Sequence, residues 1–160
     1  MTKEELEKVC HLKLTKSPIK LSKNITFLGE IPESNDFEKR KAIGQCYQRG
    51  EMRDDMVKDD TAIVYKSEKG LFIITGCSHS GICNIIEYAK VVCQEEKICG
   101  VIGGFHLFEV NEQLDKTIQY FKENSIALLY PCHCVSLRAK IEIGKNIPIQ
   151  EVGVGLEINM

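Results

Sequence analysis

Three consecutive stretches of this chain repeat one alternation, an apolar run of strand character followed by apolar residues at helical spacing, and that alternation restricts the fold more than any other feature. LFIIT, beginning at Leu71, precedes Ile82, Ile85, Ile86, Ala89 and Val92 on one helical face. Ile98 to Ile102 precedes a helix expected from about Asn111, with Leu114, Ile118 and Phe121 on one side. Ile126 to Tyr130 precedes a helix expected from about Val135, with Pro131 stopping the strand. Strands alternating with helices place the strands in one sheet and the helices against it. Each apolar run ends near a histidine, and 27 residues separate His79 from His106 and again His106 from His133, about one strand–helix unit. In open α/β sheets ligands bind beyond the carboxyl ends of strands, so the three imidazoles are expected on one functional edge.

The flanking segments are less regular. Residues 1–24 are rich in lysine, with a short helix expected at Lys3 to Cys10, and are separated here from an organised region over 25–160. Ile25 to Leu28 reads as a strand. The polar stretch that follows, containing Pro32 and several glycines, reads as a long functional or mobile excursion up to Asp60. TAIVYK, from Thr61, alternates like a half-buried strand, and Ser80 is the expected N-cap of the helix that follows LFIIT. EVGVGLEI, from Glu151, is expected to close the sheet.

Composition narrows the function classes. With 160 residues and 43% hydrophobic side chains, one domain with a sizeable core is expected. The 21 basic and 23 acidic side chains nearly cancel, to a net charge of −2, and no basic stripe interleaves with aromatics, which argues against nucleic acid as a partner. No apolar run approaches the ~18 residues that span a bilayer and no signal peptide is visible, so a cytoplasmic protein without membrane attachment is expected. Eight cysteines are then read as reduced thiols. Cys77, Cys132 and Cys134 flank strand-end histidines, whereas Cys10, Cys46, Cys83, Cys93 and Cys99 are scattered and read as small, mostly buried apolar residues.

The chemistry suggested by these positions is metal binding, because imidazole is the commonest zinc ligand and also suits iron. His79, in G-C-S-H-S-G, and His133, in P-C-H-C, are the candidate ligands; the structural alternative for each is a ring bonded locally in its turn. Asp60, beside Asp59, is a candidate acceptor for the second ring nitrogen of His79. His106, in G-G-F-H-L, reads as a substrate contact or general acid ahead of a metal ligand. A closed thiolate centre from Cys77, Cys132 and Cys134 is a rival, weakened by the absence of any Cys-x-x-Cys pair. It is weakened further by alternation: in extended chain, Cys132 and Cys134 cannot both point the way His133 does. No nucleophile elbow, Walker-type loop or dinucleotide fingerprint is present.

In this order, F-L-G-E-I-P, D-D-T-A-I-V-Y-K, G-L-F-I-I-T-G-C-S-H-S-G-I-C-N-I-I, V-I-G-G-F-H-L and P-C-H-C resemble the C-terminal half of a metallo-beta-lactamase fold protein. The subgroup resembled is that of dihydropterin-ribofuranosylaminobenzene phosphate synthase. The resemblance runs from about Ile25 to the end and implies half of an α/β/β/α sandwich: an α/β unit with one mixed sheet and helices on one face. It also implies a zinc, manganese or iron ion at His79 and His133, with Cys77 in a supporting place near that of a bridging carboxylate and His106 near a small-molecule substrate. The expected activity is metal-dependent hydrolysis of an ester, amide or phosphoester.

The family's His-x-His-x-Asp-His cluster is absent from these residues, and its usual Thr-Gly after P-C-H-C is replaced by Val135 and Ser136. Little or no activity is therefore expected from the chain alone. An uncovered sheet face is expected to meet a second copy or a complementing N-terminal-half chain. The alternative is a non-catalytic remnant that binds a metal, a small molecule or a subunit.

Overall fold

The computed structural model describes residues 2–48 and 50–159. In chain order the elements are α1 (Lys3–Glu7), β1 (Ile19–Lys20), β2 (Ile25–Phe27), β3 (Gly44–Gln48), β4 (Glu51–Asp55), β5 (Ala62–Ser67), β6 (Gly70–Thr75), α2 (Ile82–Cys93), β7 (Ile98–Gly103), α3 (Glu112–Glu123), β8 (Leu129–Pro131) and α4 (Leu137–Asn146). Six strands form one sheet in the order β1-β2-β5-β6-β7-β8. The pairs from β1 through β6 are antiparallel, and β6–β7 and β7–β8 are parallel. The mixed sheet that the resemblance implies is present, and the parallel half is the half with helical crossovers, as parallel neighbours require.

Side-chain alternation divides the sheet into two unlike faces. Val64, Ile73, Val101 and Leu129 lie in one cross-strand row and are fully buried. They share a core with Ile82, Ile85, Ile86 and Ala89 of α2, Leu114, Ile118 and Phe121 of α3, and Ala139 and Ile143 of α4. The adjacent row runs Phe27, Ile63, Ile74, Ile102, Tyr130 across five strands and faces the other way. Ile63 and Ile74 there are 37% and 45% exposed. Helices therefore cover one face, and an apolar row remains partly open on the other.

Several expectations change. The glycine-rich segment from Glu151 is no strand: β8 receives only an isolated bridge from Ile149, and Val154 beyond it is fully exposed. Without a buried face to enforce register, two glycines leave that segment irregular. Within residues 1–24, β1 pairs with β2, and the long excursion carries a β3–β4 hairpin as a separate two-stranded sheet. Of the five scattered cysteines only Cys83 is buried, and Cys10 is exposed.

Among the described residues no helix is long and apolar enough to cross a membrane. Truncating Ile73 to alanine is expected to cost about 2–5 kcal/mol, as a buried cavity does, whereas Ile74→Ala on the open face should cost about 1 kcal/mol or less. Urea unfolding of the two variants checks this, and equal losses would mean that the open face is covered in solution.

Candidate metal and substrate site

The carboxyl ends of β6, β7 and β8 are tied together through their backbones. Gly104 donates its amide to the Gly76 carbonyl at 2.7 Å, and Cys132 donates to the Gly103 carbonyl at 3.0 Å. A Cβ on Gly104 would lie 2.6 Å from the His133 carbonyl oxygen and 2.7 Å from that of Gly76, so only glycine allows the three loops to approach this closely. The Ser78 hydroxyl donates across to the Gly104 carbonyl. Each loop also holds one non-glycine residue with a left-handed backbone: Ser78 at φ 60°, His106 at φ 51° and Cys134 at φ 52°. Such conformations concentrate at functional sites, where surrounding bonds hold them.

The three histidines divide between two groups. The His79 and His106 rings lie 4.4 Å apart between centroids, tilted by 52°, and Phe108 stands edge-on to His106 at 5.0 Å. Both rings line a cavity of about 240 Å³ together with Lys39, Lys41, Phe108 and Glu109. The Nδ1 atoms of His79 and His106 are buried and have no hydrogen-bond partner within the protein. Unsatisfied buried polar atoms of this kind call for a ligand, an ion or water. Burial lowers the His106 pKa, helped by His79 and Lys41 and opposed by Asp60, so its ring is held neutral with a lone pair available.

His133 stands in the second group, with Cys77 and Cys134. One donor atom from each lies within 4.8 Å of the other two; His133 is exposed and both cysteines are half-buried. The alternation argument against thiols beside His133 fails for Cys134, because its left-handed backbone breaks the extended geometry that the argument assumed. It holds for Cys132, which is exposed and outside the group. Burial, reinforced by Cys77 and Cys132, pushes the Cys134 thiol up to about 11.

Asp60 behaves differently from its expected role as an imidazole acceptor. Its carboxylate receives the Ser80 amide at 2.9 Å and the Ser80 hydroxyl at 2.7 Å, so it fixes the loop that bears His79 without bonding the ring. Ser80 is therefore not the α2 cap. Gly81 occupies that position with φ 92°, and the cap comes from Glu38, far upstream. Glu38 Oε1 accepts from the Cys83 amide at 3.0 Å and Oε2 from the Asn84 amide at 2.8 Å. The Asn84 side chain in turn receives the amides of Ser34 and Asn35. Arg40 closes the same loop by donating to the carbonyls of Ile31 and Val57 at 2.7 Å each.

Sequence reasoning passed over Glu38 because it lies in a charged stretch that reads as solvated. No local spacing links it to a helix more than 40 residues away. A glycine directly before that helix, where a polar cap is usual, was the available signal.

No family model matches the chain. It is 35% identical over 144 residues to an uncharacterized protein of Methanocaldococcus jannaschii, an alignment covering 89% of this chain and 52% of that protein. It is 34% identical over 143 residues to the 7,8-dihydropterin-6-methyl-4-(beta-D-ribofuranosyl)-aminobenzene-5'-phosphate synthase of the same organism, covering 86% and 49%. The chain thus spans about half the length of the curated relatives it matches. Among solved structures, a metal-dependent hydrolase of the beta-lactamase superfamily superposes with a TM-score of 0.77 at 29% identity, over 94% of this chain and 58% of that one. The chain carries the metallo-beta-lactamase superfamily fold. Within that fold, its sequence is similar to the group that includes the M. jannaschii synthase.

Replacing Glu38 with alanine removes the acceptor for two buried helix-start amides and should cost about 2–4 kcal/mol. Burial raises the Glu38 carboxyl, so the folded protein holds that proton more tightly than the unfolded chain does. Its contribution should therefore be greatest below the unfolded pKa of about 4.3 and decline as pH rises through the raised folded value. Urea unfolding of wild type and Glu38→Ala across that range tests both magnitude and sign.

Proposed function

We propose that this chain forms one wall of a metal-dependent hydrolase-like site, to which it contributes His79 and His133 as metal ligands and His106 as a substrate contact. The observation that carries the reading is His79 at a cavity with a buried, unpartnered Nδ1, and the His106 ring packed beside it facing the same space. Imidazole nitrogen fits zinc, manganese or iron, and a divalent ion held by His79 would supply Lewis acidity toward a substrate oxygen. The structural neighbour's description as a metal-dependent hydrolase supports this chemistry.

The chain's own residues define what the substrate meets. Lys39 at the cavity is already paired with Glu33 at 3.7 Å and Glu109 also lines it, so the choice of an anionic phosphoester over an ester or an amide rests on Lys41. Phe108 packs edge-on to His106 and limits the positions that ring can take. Because burial lowers its proton affinity, His106 works from the neutral ring, which suits substrate contact better than proton donation.

The remaining metal ligands come, in this reading, from a polypeptide that covers the open sheet face. The row Phe27, Ile63, Ile74, Ile102, Tyr130 offers the apolar surface. The matched relatives are about twice as long, which favours a complementing half over a second copy.

Two variants separate this reading from a non-catalytic binding module. Purified chain should carry a transition metal by elemental analysis, and His79→Ala should lower that content. With a chain carrying His-x-His-x-Asp-His added, His106→Ala should slow phosphoester hydrolysis by roughly 10–100-fold, the value of one hydrogen bond to a charged group, while leaving metal content intact. Metal at background levels, unchanged by His79→Ala, would instead leave only the binding module.

A further inference from the structure

We infer that the metal position at His133 is a sulfur-rich one, in which the thiolates of Cys77 and Cys134 join the imidazole to hold a zinc ion with its fourth position open. This rests on the proposal above that His133 is a metal ligand, and it assigns the other two ligands within this chain. The donors already converge: one atom from each of the three residues lies within 4.8 Å of the others. Around a tetrahedral zinc, with bonds of about 2.3 Å to sulfur and 2.0 Å to nitrogen, donors stand roughly 3.5 Å apart, so a small inward movement closes the set.

The backbone on each side of the three donors is held. Gly76, preceding Cys77, receives the Gly104 amide, and Gly104 packs on the His133 carbonyl. Cys134 gives its carbonyl to the Leu107 amide at 3.0 Å, and Ser136 donates back to the Leu107 carbonyl at 2.9 Å. The left-handed backbone at Cys134 turns its thiol to the side where Cys77 and His133 meet.

Donor chemistry selects the ion. Two thiolates and one imidazole are soft to borderline ligands and favour zinc over manganese or magnesium, which prefer oxygen. Three protein ligands with His133 exposed leave one side open, the arrangement of a zinc that still exchanges its fourth partner rather than of a closed structural centre. His79, paired with His106, is not a member of this three-donor group.

Cobalt(II) titration of the full, reduced chain tests the assignment, because thiolate–cobalt bonds give an intense near-ultraviolet charge-transfer absorption that imidazole and carboxylate ligands do not. One equivalent should produce that absorption, and zinc should abolish it by displacement. Cys77→Ser and Cys134→Ser should each reduce it and weaken binding by more than the roughly 10–100-fold that a supporting residue costs. Cys132→Ser and His79→Ala should retain it. Circular dichroism of each serine variant confirms that the fold persists. Cobalt binding without the sulfur absorption, or an absorption that survives both Cys77→Ser and Cys134→Ser, would overturn the ligand set while leaving a histidine-based metal site possible. Absence of any cobalt or zinc binding would overturn both this inference and the metal reading beneath it.

Discussion

The candidate site depends on one buried carboxylate. Glu38 reaches across from an irregular segment to take the two helix-start amides that no local side chain satisfies, and Asn84, whose amide it holds, grips the same segment through Ser34 and Asn35. Each half of this exchange would leave buried polar groups unpaired without the other, which is the expensive condition in a protein interior. The consequence is geometric. The segment that brings Lys39 and Lys41 to the cavity is anchored at the base of α2, one turn from the loop that bears His79.

A second constraint is the close approach of three strand-end loops at Gly103 and Gly104. Their lack of side chains lets the backbones of β6, β7 and β8 bond directly, and this proximity sets His79 against His106 and His133 against Cys77 and Cys134. The left-handed residues, one per loop, aim those side chains. An imidazole pair at a cavity and an imidazole–dithiol group stand on the same edge and differ in donor softness. The sheet face behind the edge has a continuous apolar row, of which Ile63 and Ile74 are partly exposed.

Much of the fold was legible in the sequence wherever a buried face imposed a period. The continuous apolar run LFIIT, the helical spacing of Ile82 to Val92 and the helix start near Asn111 all correspond to observed elements, because burial selects a period and a register. Where burial is weak, the reading failed: the glycine-rich segment after Glu151 looked like a strand, and the exposed β3–β4 hairpin looked like a loop. The edge position of the three histidines was visible from spacing alone. Their division into two groups was not, since it depends on backbone angles at His106 and Cys134 that no residue pattern announces.

By itself the sequence determined the sheet's parallel half, the helices on it and the set of side chains available to a metal, because these follow from hydrophobic period and residue chemistry, both local properties. Only the tertiary structure decided that Asp60 serves Ser80 rather than His79, that Glu38 caps α2, and that a thiol pair joins His133. Those outcomes are contests between acceptors and donors brought together from distant parts of the chain. They are settled by which buried groups would otherwise go unpaired, a quantity that exists only once the chain has folded.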